Sequence, residues 1–319
     1  YQSLSERGKL AGAIVFNNSG KQIASKPRRI NLGKNQVTEE TFALDTLASV
    51  KKNTEISASI LLKDEAAKDE YHSNYMRLIR YDHIPTVHYF FQSKAKLVTE
   101  DIRVVGKRVG YIRGAGDNVP EALQAMGYQV VMLDEHNLVL PTLSGLDAII
   151  TGVRAYNVHD WLERKYDVLM NYVRNGGNLI VQYNTSNFIS SVTSKIGPYP
   201  FTISRNRVTD EKAPVKFLLP KHQVLNYPNR ITEKDFDNWV QERGIYFADK
   251  LDPQWETPLA MADKGEDEQK GSLIIARYGK GTFVYTGLVF FRQLPAGVPG
   301  AYRLMANLIA LNKTPKSKR

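Results

Sequence analysis

The residues best suited to chemistry are polar side chains gathered where short apolar runs end. Arg113, Gly114, Gly116 and Asp117 follow Arg108–Ile112, and Arg154, Tyr156, Asn157 and His159 follow Asp147–Gly152. Gln182, Asn184, Thr185 and Ser186 close the run that begins at Asn178, and Arg292 and Gln293 follow a later pair of runs. If the runs are parallel strands of an open sheet, these side chains stand at the carboxyl ends, where such sheets bind ligands. Guanidinium, amide and phenol groups suit a neutral or anionic polar ligand such as a sugar. The same groups also satisfy loop backbone and helix ends in any fold of this kind. The candidate ligand-binding set is therefore Arg113, Asp117, Arg154, Tyr156, Asn157, Gln182, Asn184, Arg292 and Gln293.

Several chemistries are disfavoured by residue type or spacing. The chain has no cysteine, which removes disulfides, thiolate metal sites and a cysteine nucleophile. The turn Gln182-Tyr183-Asn184-Thr185-Ser186 lacks the glycines of a G-x-C-x-G or G-x-S-x-G elbow; Ser186 or Thr185 could serve as a nucleophile, but serines at a strand end more often cap the next element. Gly114-x-Gly116 lacks the third glycine of a dinucleotide fingerprint, and Pro120 stands inside its window. None of the six histidines is paired at metalloprotease spacing. His83 and His88 have opposite parity on an extended segment, so they face opposite sides. Asp117 is the one acid of the candidate set, and Asp134-Glu135 and the acidic run Asp263 to Glu268 read as loops. No catalytic residue, metal ligand or cofactor is assigned.

The elements that must position the set follow from periodicity. Residues 106–312 alternate strand and helix: strands at Arg108–Ile112, Tyr128–Leu133, Asp147–Gly152 and Asn178–Tyr183, and helices at Val119–Met126 and Trp161–Arg174. Pro120 falls in the first turn of one helix and Gly127 at its C-cap. Ser272–Arg277 and Thr282–Thr286 read as a hairpin, and Gly300–Leu311 as a closing helix. Ile231–Arg243 is expected to be a helix capped by Thr232. Near-continuous apolar strands imply a buried, mostly parallel sheet of an α/β domain. The stretch Ser186–Pro228 is long, proline-bearing and irregular, as functional loops often are.

Residues 1–105 read instead as a smaller β-rich, sandwich-like domain. Its expected strands lie at Ala13–Phe16, Thr41–Leu44, Ile56–Leu62, Tyr75–Tyr81 and Thr86–Phe91, with a turn cluster at Asn17–Gly20 and a helical turn at Ala66–Tyr71. Residues 313–319 form a basic tail. The net charge is +10, but it is spread over small clusters at Lys26, Arg28 and Arg29, at Lys51 and Lys52, and in the tail. No nucleic-acid-binding signature accompanies it, so nucleic acid is not an expected partner. No stretch reaches the ~18–20 apolar residues of a membrane span. The chain begins at Tyr1, which suggests a processed product or a fragment of a larger protein.

Four segments carry a family likeness: Tyr111–Asp117, Thr151–Asn157, Asn226–Asn229 and Phe290–Gly300, with Tyr81–Pro85 just ahead of them. They resemble the C-terminal region of large Bacteroidetes-type proteins of the PIG-L/LmbE-like deacetylase family. The zinc-binding P-H-P-D-D-type motif of that family's deacetylase domain is missing, so neither zinc nor deacetylation carries over. The resemblance implies a flavodoxin-like, class I glutamine amidotransferase-like shell of the kind seen in trehalose-utilisation-type domains and the trimerisation domain of some β-galactosidases. It also implies an exported, periplasmic or cell-surface protein. The expected function is that of a non-catalytic accessory module of a carbohydrate-active protein, binding a glycan or a neighbouring domain of its parent chain. A hydrolase acting on an amide or glycosidic bond without cysteine, and a structural or oligomerisation domain, are the alternatives.

Overall fold

The computed structural model describes residues 8–18, 21–32, 54–63, 70–98, 101–186 and 195–313. The chain divides into two compact units, Tyr1–Glu100 and Asp101–Arg319. The first unit carries seven described strands: β1 (Gly8–Asn18), β2 (Lys21–Leu32), β3 (Thr54–Lys63), β4 (Glu70–His72), β5 (Asn74–Tyr81), β6 (Ile84–Gln92) and β7 (Lys94–Leu97). All pairings are antiparallel. The first four strands form a sheet in the order β2-β1-β3-β4, with β7 also on β3, and β5 and β6 make a separate hairpin. Four of the expected strands fall within β1, β3, β5 and β6. Thr41–Leu44, Ser19 and Gly20 of the turn cluster, and the end of the basic tail lie outside the described residues. The expected helical turn at Ala66–Tyr71 lies mostly outside them as well; its last two residues are in strand β4.

In the second unit, four strands run parallel: β8 (Arg108–Ile112), β9 (Gln129–Leu133), β10 (Ala148–Thr151) and β11 (Asn178–Gln182). Two small ribbons follow, β12 (Thr202–Ile203) with β14 (Ala248–Asp249) and β13 (Val215–Phe217) with β15 (Leu259–Met261). The hairpin β16 (Leu273–Tyr278) and β17 (Gly281–Thr286) then completes the sheet, with β17 parallel to β11. The order β16-β17-β11-β10-β8-β9 places the chain's strands in a flavodoxin-like 2-1-3-4-5 arrangement with an antiparallel edge. The helices are α1 (Val119–Ala125), α2 (Leu140–Leu143), α3 (Ala155–Val158), α4 (Trp161–Arg164), α5 (Tyr166–Arg174), α6 (Gln223–Asn226), α7 (Phe290–Gln293) and α8 (Pro299–Ile309).

Both faces of this sheet are covered, which is why its strands are apolar throughout. Side chains alternate between faces with period two. Tyr111, Ile150, Ile180 and Val284 pack with Leu123 of α1 and Leu304 and Leu308 of α8. Ile112, Ile149, Leu179 and Val181 pack with Leu169, Met170 and Val173 of α5 on the other side.

Two helix expectations need correction. Trp161–Arg174 is broken at Lys165, whose N–H closes α4 on Trp161 and Leu162 while its carbonyl accepts from Leu169 of α5. Ile231–Arg243 contains only a single 3-10 turn, Glu233–Phe236. Its start is as expected: the Thr232 N–H donates to Asp235 Oδ2 at 2.7 Å, as in a capping box. Beyond Phe236, tertiary bonds replace helical ones. The Gln293 side chain accepts from Val240 N–H at 2.8 Å and donates to Val240 C=O at 2.9 Å. Arg243 turns inward, its Nε donating to Ala213 C=O at 3.0 Å and Nη1 to Phe236 C=O. Asn238 and Gln241 take left-handed backbone, with φ of 58° and 72°. Gly300 lets α8 begin against that turn, since a Cβ there would stand 1.8 Å from Asp235 C=O.

Candidate functional site

The strand order reverses between β8 and β10, so their following loops flank the crevice where doubly wound sheets take ligands. Gly114 lets the two loops touch. A Cβ at that position would stand 2.0 Å from Val153 C=O, and Ala115 N–H donates to the same carbonyl at 2.8 Å. Asp117 knits them further. Its Oδ1 accepts from the Tyr111 hydroxyl at 2.5 Å and Val119 N–H at 3.1 Å, and its Oδ2 from Val153 N–H at 3.2 Å. Burial, and then the Asp117 carboxylate, push the Tyr111 phenol far above its ordinary value, so it stays a donor. Gln182 Nε2 donates to the same hydroxyl at 3.3 Å and to Thr151 C=O at 3.2 Å.

The turn after β11 is closed on the protein. Arg154 N–H donates to Tyr183 C=O at 2.8 Å, and Tyr156 N–H donates to Asn184 Oδ1 at 2.9 Å. Asn157 and Thr185 exchange two bonds, Thr185 N–H to Asn157 Oδ1 at 2.8 Å and Asn157 Nδ2 to Thr185 C=O at 3.1 Å. Asn184 Nδ2 donates to Gln182 C=O at 3.1 Å. Tyr183, Asn184 and Thr185 are buried. No residue from Tyr183 to Ser186 has positive φ, so the turn is not the strained elbow that presents a nucleophile.

Beside this closed turn lies an open cleft of about 680 Å³. Arg113, Gly116, Asp117 and Asn118 form the β8 side of the lining, and Val240, Gln241, Phe291, Arg292 and Pro295 the other. Arg292 is held in place: its Nε donates to Glu242 Oε1 at 2.8 Å, and its guanidinium lies 4.7 Å from the centre of the Phe291 ring. Phe291 also packs on Tyr183, which stacks on Tyr246 at 5.7 Å between ring centres. Burial raises the Tyr183 phenol, against the opposing pull of Arg154 and Arg292. His159 Nε2 stands 2.9 Å from Arg113 C=O. Among the described residues, no group of three or more His, Asp or Glu side chains could hold a metal ion.

The nine candidate residues thus separate. Arg113, Asp117 and Arg292 share the cleft lining. Gln182, Asn184 and Gln293 are fully buried. Tyr156 is buried, and Asn157 and the half-buried Arg154 belong to the stitched loops. Arg154 adopts left-handed backbone with φ 59°, and its Nε is buried without a hydrogen-bond partner. The cleft also contains Phe291, Gln241 and Asn118, which residue type does not single out. Phe291 alone carries a signal, since it adjoins Arg292 in the Phe290–Gly300 segment. Gln241 and Glu242 lie in the stretch expected to be a regular helix, which hides them.

No family model matches this chain, and no curated protein matches it. Among solved structures it is similar to a GMP synthase protein from Thermoplasma acidophilum, with 10% identity, TM-score 0.42, and 66% of this chain covering 96% of that one. It is similar to a ThuA-like protein from Bacteroides uniformis, with 12% identity, TM-score 0.38, and coverage of 67% of this chain and 94% of that one. A β-galactosidase from Bacillus circulans sp. alkalophilus matches at 15% identity and TM-score 0.39, over 65% of this chain and 31% of the enzyme. At these scores the likeness adds nothing to the α/β architecture that the sheet order itself displays.

Proposed function

We propose that the unit from Asp101 onward is a non-catalytic binding module for a glycan, the accessory part of a larger carbohydrate-active protein of the PIG-L/LmbE-like kind. The ligand occupies the cleft at the strand ends. One contrast carries this reading. From Tyr183 to Thr185 the turn that would bear a nucleophile is buried and bonded to its neighbours, whereas the adjoining cleft is open and combines an aromatic ring with guanidinium and amide groups. Sugar sites need that mixture, an apolar wall for the ring face and a few oriented polar groups. Calorimetric titration of the whole chain with a panel of oligosaccharides tests it. Binding that weakens in Phe291→Ala supports the module; a panel in which nothing binds sinks it, and turnover of aryl glycosides or sugar amides would favour the hydrolase alternative.

A second reading, docking of a neighbouring domain or another copy, attaches to the first unit. Exposed apolar side chains stand on both faces of the β5–β6 hairpin, Tyr75 and Tyr89 on one and Leu78 and Phe90 on the other, and exposed apolar surface can mark an interaction site. Light scattering on the purified chain, with and without Tyr89→Ser and Phe90→Ser, would show self-association through it.

A further inference from the structure

We infer that the cleft selects glycans bearing a carboxylate, as uronic acid residues do, and that Arg113 and Arg292 are the groups that read it. The inference rests on the glycan-binding reading above and names its ligand class. Among the described residues, three charged side chains line the cleft: Arg113, Arg292 and Asp117. Asp117 is already occupied by the Tyr111 hydroxyl and the N–H groups of Val119 and Val153, so its negative charge is held by protein donors. The two cations are not matched in the same way. Among the described residues, the Arg113 guanidinium has no hydrogen-bond or ion-pair partner. Among the same residues, Arg292 uses only Nε on Glu242, and no bond engages its two terminal nitrogens.

Posture as well as charge favours a carboxylate. Glu242 fixes one edge of the Arg292 guanidinium and the Phe291 ring covers one face. What remains is the pair of terminal N–H groups, the edge that meets a planar carboxylate in two parallel bonds. A side chain ordered before binding loses less entropy when the ligand arrives. Phe291, Val240 and Pro295 offer apolar surface to the C–H face of a sugar ring, and the Asn118 and Gln241 amides can meet its hydroxyls. A neutral sugar would use the ring wall and the amides but leave the Arg113 guanidinium without an anion and the terminal nitrogens of Arg292 without a carboxylate.

The test is titration of the full chain with oligogalacturonate and oligoglucuronate, with their neutral galactose and glucose counterparts, and with inorganic phosphate. Acidic oligosaccharides should bind roughly tenfold or more tightly than neutral ones, since a hydrogen bond to a charged group is worth that much. The preference should fall as salt rises. It should collapse in Arg113→Ala, an exposed side chain without partners whose loss leaves folding intact, and in Arg292→Ala. Arg292→Lys, which keeps the charge and loses the fork, should fall between. Equal binding of acidic and neutral glycans overturns the inference and leaves the glycan module standing. A preference that survives both alanine variants, or phosphate binding as tightly as the acidic glycans, also overturns it. Failure of every glycan to bind sinks both.

Discussion

The turn after β11 and the cleft beside it are built from the same residue types and do opposite things with them. At the turn, Asn184, and Asn157 from α3, place their amides on backbone groups of the facing loop. In the cleft, Arg113 and Arg292 keep donor groups that no described residue engages. A polar residue at a strand end is therefore no sign of a binding site by its type. What decides is whether its hydrogen-bonding capacity is satisfied within the protein. Gln182 is a mixed case. Its amide nitrogen is engaged twice, but its Oε1 is buried with no partner, and at 1% exposure the side chain is beyond a ligand's reach.

Variants that separate folding from binding test this comparison. The largest effect is expected at Gly114, which permits both regions to exist. Gly114→Ala would drive a methyl group against Val153 C=O and push the β8 and β10 loops apart. A loss of roughly 3 kcal/mol in denaturant unfolding is expected, as for a severe overpacking change. Stability close to that of the parent would show that the loops are pliable and the crevice adaptable.

Asn184→Ala comes next. It leaves the Tyr156 N–H buried without its acceptor, a change worth about 1–3 kcal/mol of stability. Glycan affinity measured on the folded fraction should stay the same. Lost affinity at unchanged stability would move Asn184 from the closed region to the open one. The cleft arginines should behave inversely. Arg292→Ala gives up a mostly buried ion pair and should lower stability by about 1–2 kcal/mol, and Arg113→Ala by less than about 0.5 kcal/mol, while both abolish acidic-glycan preference.

The smallest effect links the two regions. Tyr183 belongs to the turn, yet its phenol responds to the Arg292 charge of the cleft. Removing that cation in Arg292→Ala takes away a charge that favours the phenolate, so the Tyr183 pKa should move further up. Tyrosine-labelled NMR titration would detect it. A downward move, or none, would mean that the cation does not act on the turn.

Much of the architecture is legible in the residues. Strands β8, β10 and β11 are visible because a sheet buried on both faces demands continuous apolar runs. Pro120 and Gly127 mark the two ends of α1, and Gly127 does take positive φ, at 92°. The Tyr278–Gly281 turn joins β16 to β17 as expected. The segment Ile231–Arg243 misleads because local signals describe its first turn only. Beyond Phe236 its conformation is governed by Gln293, more than fifty positions away from Val240, and by the inward turn of Arg243.

The sequence by itself thus determined the class of fold, the order of the main sheet's strands and the polar residues that arrive at one end of the sheet. Those properties depend on local periodicity and on residue type. The tertiary structure alone decided which of those residues remain open to a ligand. That choice turns on distant partners such as Asn184 with Tyr156, Asp117 with Val153 and Arg292 with Glu242, which are 28, 36 and 50 positions apart. Whether a side chain finds such a partner is settled only when the sheet brings the loops together.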